Sequence, residues 1–210
     1  MATELSFLAP SRRVGRLGRV TVSLLAIAGA GMATAVVLFG SALIGALGTY
    51  DDAATNTWAS AYDGLFVVLP WVLLTAELSF LAWVFTTIRQ VHGLGRGEHL
   101  VSASAGVFFV LMMVPFGVMR ELRRAVVPDD RSMRGHLLGV WSATWLGTVA
   151  LSAYQARFAE PDLSMPDDAR VLAMLGLAYA LAWTATLGLT AWNVHLIAAG
   201  AARLEEQPTP

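Results

Sequence analysis

The sequence contains no cysteine and no lysine. Without thiols there is neither a disulfide nor a thiolate metal site. All fourteen basic residues are arginine, which leaves topology rules intact because Lys and Arg count alike. Charge of either sign is scarce: 14% of the 210 residues are charged against 56% hydrophobic, and the net charge is −1. Such a balance gives no overall attraction to nucleic acid and moves the chain out of the soluble globular class. Catalytic signatures are missing as well. There is no H-E-x-x-H or G-x-S-x-G, and the four histidines are scattered, so neither an enzyme, a metal centre nor a cofactor is expected.

What the chain has instead is long apolar runs. A hydrocarbon layer about 30 Å thick needs about 20 apolar residues at about 1.5 Å rise each. Five stretches approach or exceed that, at 20–48, 64–88, 101–119, 137–154 and 171–199. They define one membrane domain over 20–199, preceded by a basic segment, 1–19, and followed by a polar tail, 200–210, expected to be disordered.

Arg12, Arg13, Arg16 and Arg19 precede the first run. The string SRRVGRLGRV resembles a twin-arginine export signal, but the 29 apolar residues of 20–48 far exceed the roughly 7–15 of a signal h-region, so a retained span with its basic end in the cytoplasm is expected. Residues 50–63 read as an outer loop. They carry Asp51, Asp52 and Asp63 with no basic residue, and Tyr50, Trp58 and Tyr62 suit the headgroup level. If all five runs cross, eight arginines lie inside and six outside. If 101–119 enters and leaves on the cytoplasmic side, twelve lie inside and only Arg157 and Arg170 outside. Positive residues in short loops favour the inside. The expected fold is therefore all-α: an integral membrane bundle of four transmembrane helices plus one re-entrant or shallow helical segment, five crossings being the alternative. Both termini are then cytoplasmic.

Pro115 and Gly117 mark the expected helix break. Beyond it, 116–127 is amphipathic, with Val118, Met119, Leu122, Ala125 and Val126 on one face and Arg120, Arg123 and Arg124 on the other. With Arg131 and Arg134 these arginines form a candidate contact for anionic lipid, at about 1 kcal/mol per basic residue, or for an acidic partner.

Glu77 is the only acid within any apolar run. Span counting puts it near the midplane, where a carboxylate costs about 2.5 kcal/mol or much more. It is either a proton or ion site or a neutral acid that joins two helices, with Thr34, Trp145, Thr148 or Thr184 as partners. Gly93, Gly95 and Gly97 predict a tight cytoplasmic turn, and His92 and His99 beside it do not make a zinc site. In the last run Gly176, Ala180, Thr184 and Gly188 recur at four-residue steps, a groove for close helix packing. Asn193 and His195 near its cytoplasmic end read as interfacial.

Three blocks, FLAWVFTTIRQVHGLG, VPFGVMRELRRA and LLGVWSATWL, together resemble the signature of domain-of-unknown-function family 4328. Trp83, Gly95, Pro115, Phe116, Met119, Arg120, Glu121, Leu122, Trp141 and Trp145 sit at matching positions, and the likeness covers residues 80–151. Where the family commonly has V-P-I-x-N-x-W, this chain has Val107 to Met113 without proline or Asn, so the segment is more apolar. The resemblance implies a multi-pass protein of the bacterial plasma membrane and no mechanism. The expected role is a membrane-embedded interaction or scaffold protein whose Arg-rich cytoplasmic surface meets anionic headgroups or an acidic partner, with a membrane-protein partner or homo-oligomer as further possibilities. The alternative is a small transporter or proton/ion pathway that uses Glu77.

Overall fold

The computed structural model describes residues 10–47, 52–94, 100–111, 115–127, 134–157 and 166–206. Six helices follow in order: α1 (Pro10–Leu47), α2 (Asp52–Gly93), α3 (Ala103–Leu111), α4 (Pro115–Val126), α5 (Arg134–Arg157) and α6 (Pro166–Glu206). All regular structure among the described residues is helical. Three segments are long and apolar enough to cross a membrane, Val14–Ile44, Val67–Gly93 and Ala173–Arg203, and α5 holds a shorter apolar stretch, Leu137–Ala153. The outward side chains fit that reading. Ile44, Val67 and Trp71 are 74%, 68% and 70% exposed, an apolar surface suited to lipid and costly in water.

The helices run past the apolar stretches. Residues 50–63, expected as a loop, are helical from Asp52, and 200–206, expected as a disordered tail, continue α6 to Glu206. Hydropathy marks where lipid begins, not where a helix ends: 200–206 continues through Ala, Arg, Leu and Glu, which have high helix propensity in water too, whereas in 52–63 only the four alanines do. Prolines lie at the first positions of α1, α4 and α6, where the missing N–H costs nothing. Pro70 lies inside α2, as membrane helices tolerate.

Helix α3 has nine residues, about 14 Å of helix, which is less than half of the hydrocarbon thickness. A Cβ on Gly106 would lie 3.7 Å from the Val118 side chain, far closer than twelve residues of one helix allow, so α3 and α4 fold back on each other. α3 ends at Leu111 and α4 starts at Pro115, and residues 112–114 lie outside the described residues. Of the two expected break positions, Pro115 starts the new helix, whereas Gly117 sits within it. The short helices α3 and α4 pack on each other.

Two compact units share the long helices: 1–24, 76–139 and 190–210 form one, and 25–75 with 140–189 the other. In the first, Trp83, Ile88, Met119, Leu122 and Ile197 are buried. There Thr21 Oγ1 lies 2.8 Å from Ser79 Oγ and 3.2 Å from the Ser79 carbonyl, which fixes the register of α1 on α2. In the second, Met32, Trp141 and Ala180 are buried, and the hydroxyls of Thr148 and Thr186 lie 3.2 Å apart. Gly176 gives close approach there: a Cβ would run into the ring of Phe39.

Candidate functional site

Helix α4 is the most strongly amphipathic of the six described helices. Val118, Met119, Leu122 and Val126 are buried, which turns Arg120 and Arg124 outward. Glu121 lies between them, its Oε1 3.5 Å from Arg120 Nε and 3.1 Å from Arg124 Nη1. One carboxylate between two guanidinium groups leaves this face net positive. Exposed ion pairs of this kind add little stability, so their geometry matters more for what the face attracts than for holding the helix.

Arg123, expected on that surface, is buried instead. Its Nη1 donates to Asn193 Oδ1 of α6 at 3.2 Å, with Arg123 5% exposed and Asn193 fully enclosed. The reason lies in the helical wheel. At about 100° per residue Arg123 falls beside Met119 and Val126, at the border of the apolar arc, so packing that face on α6 carries the guanidinium inward. Asn193, expected at an interface, is its acceptor. Thr87, Gln90 and Thr190 are further buried polar side chains of the same unit, set in its otherwise apolar interior. Arg131 lies outside the described residues, and Arg134 is the first residue of α5.

Glu77 sits on the outer face of α2, exposed in company with Trp71, Leu74 and Leu78. Among the described residues it has no hydrogen-bond or ionic partner. Three of the partners considered from the sequence use their hydroxyls within their own helices: Thr34 donates to Ala30, Thr148 to Thr144 and Thr184 to Ala180. The register of Thr21 against Ser79 also sets its depth. Glu77 lies four residues, about 6 Å at 1.5 Å per residue, from the level of Arg19 on α1. That is nearer the basic end than span counting implied.

The small-residue groove of α6 is divided. Gly176 and Ala180 are buried, Thr184 is half-buried, and Gly188 is exposed with nothing within 4 Å of a Cβ. No three His, Asp or Glu side chains come together among the described residues. His92 Nδ1 lies 2.9 Å from the Ile88 carbonyl, so it caps the end of α2, and His99 lies outside the described residues. No protein-family model, curated protein or solved structure matches the chain.

Proposed function

We propose that this chain is a multi-pass protein of the bacterial cytoplasmic membrane that acts as an interaction scaffold, its α4 surface engaging anionic lipid headgroups. In this reading α1, α2, α5 and α6 cross, the α3–α4 hairpin lies at the cytoplasmic side, and both termini are cytoplasmic. Likeness to domain-of-unknown-function family 4328 over residues 80–151 belongs to the same proposal.

The observation that carries it is the outward pair Arg120 and Arg124 on a helix whose opposite face is buried. Arg131 and Arg134, later in the sequence, extend the basic character; Arg123, bonded to Asn193, holds α4 down and takes no part in the contact. The test uses the full-length protein in neutral phosphatidylcholine nanodiscs, with co-flotation on phosphatidylglycerol vesicles. Association should fall steeply as salt rises and screens the charges, and should weaken in the Arg120→Gln/Arg124→Gln variant. Salt-insensitive association would rule out the contact. Retention of an acidic protein with no response to the vesicles would replace lipid by a protein partner.

A further inference from the structure

We propose that a groove between the basic end of α1 and the last turns of α6 binds the phosphate of one anionic phospholipid, held by Arg19, Ser23 and His195. The groove has a volume of about 390 Å³, within the range of small-molecule sites. Its existence follows from residue size. Gly15, Gly18, Ala198 and Ala199 line it and reach no further than a Cβ. At Gly18 the helices are tight, a Cβ there falling 3.0 Å from the Ala198 Cβ, whereas at Gly15 a Cβ would meet nothing within 4 Å. The space is therefore wider at Gly15 than at Gly18.

Its polar chemistry is one-sided. Arg19, Ser23 and His195 line the groove, and among the described residues no acid does. Among the described residues none of the three is engaged in another hydrogen bond or ion pair, and Arg19 and His195 are exposed. The planar guanidinium fork matches the oxygens of a phosphate, with imidazole and hydroxyl as further hydrogen-bonding groups. Depth selects the source of that phosphate. Arg19 is the last of the N-terminal arginines, and the long apolar run starts at Val20, so the guanidinium stands at the boundary of headgroup and hydrocarbon. Val20, next in the chain to Arg19, and Trp192, three residues before His195, are exposed at 52% and 49%, apolar surface that acyl chains would cover and a free phosphate would not.

This assignment rests on the membrane reading above but not on the α4 arginines, and the variants separate the two. Full-length protein in mild detergent is titrated with phosphatidylglycerol, phosphatidylcholine or inorganic phosphate and followed by native mass spectrometry. One phosphatidylglycerol should be retained, more tightly than phosphatidylcholine, whose ammonium opposes Arg19. Arg19→Gln should weaken retention about fivefold, the equivalent of about 1 kcal/mol for one basic residue at a membrane surface. Gly15→Leu fills the groove where nothing stands in its way and should abolish retention while the helical melt is unchanged. Arg120→Gln/Arg124→Gln should retain lipid as the wild type does. A folded Gly15→Leu variant that retains lipid with wild-type affinity overturns the site. Binding of inorganic phosphate with no lipid retained overturns the lipid assignment.

Discussion

Arg123 on α4 and Asn193 on α6, seventy positions apart in the chain, meet in a buried hydrogen bond of 3.2 Å. A guanidinium out of water needs its donors satisfied, because an unmet charged donor costs more than a formed bond returns. Asn193→Leu should therefore destabilise the fold by about 1.5–3 kcal/mol, the scale of a hydrogen bond to a charged group, as read by unfolding in detergent. Asn193→Asp keeps an acceptor oxygen at the same position and should unfold later than Asn193→Leu. Equal stability of Asn193→Leu and wild type would mean that the bond does not anchor α4.

Two glycines of α6 give opposite expectations. Gly176→Ala drives a methyl group into Phe39 and should cost about 1–3 kcal/mol through overpacking. Gly188→Ala meets nothing and should be neutral or stabilise by up to about 1 kcal/mol through helix propensity. Thermal melts of the two variants check both, and a reversed order would refute the packing described for this helix.

Glu77 makes no bond among the described residues and lies on an exposed face. Glu77→Gln should thus leave the unfolding midpoint within the range of an ordinary surface change, about 0.5 kcal/mol. A large loss of stability would mean that the carboxyl is engaged in the assembled protein, and a second copy would become the first partner to test by crosslinking.

Topology is open to thiol chemistry because the chain has no cysteine of its own. Single cysteines introduced at positions 98 and 132 should react alike with an impermeant maleimide, blocked in intact cells and labelled after lysis. Opposite behaviour at the two positions would require a crossing between them and five crossings in all.

The long apolar runs made α1, α2 and α6 legible, because about 20 apolar residues in succession leave few other ways to satisfy the backbone. Their ends were not legible. Asp52 and Glu206 lie within helices because hydropathy reports the solvent around a helix and not the persistence of its hydrogen bonds. Pro115 is the first residue of α4, the helix position that suits a residue without an N–H, whereas Pro70 sits inside α2, so proline alone does not mark a helix end. Outward Arg120 and Arg124 followed from the wheel. Arg123 did not, although its neighbours Met119 and Val126 carried the signal; a border position is decided by what the facing helix offers, here Asn193. The groove beside Arg19 was beyond the sequence for the same reason, as Gly15 and Ala198 come together only when α1 and α6 pack.

The 42 residues of α2 make about 63 Å of helix, roughly twice the hydrocarbon thickness. Much of its backbone is therefore wet yet already bonded to itself. In deuterated buffer those amides should gain mass slowly, at the pace of fraying from the ends inward, and a fast, uniform uptake across 52–63 would show that this turn-by-turn bonding does not persist outside the lipid.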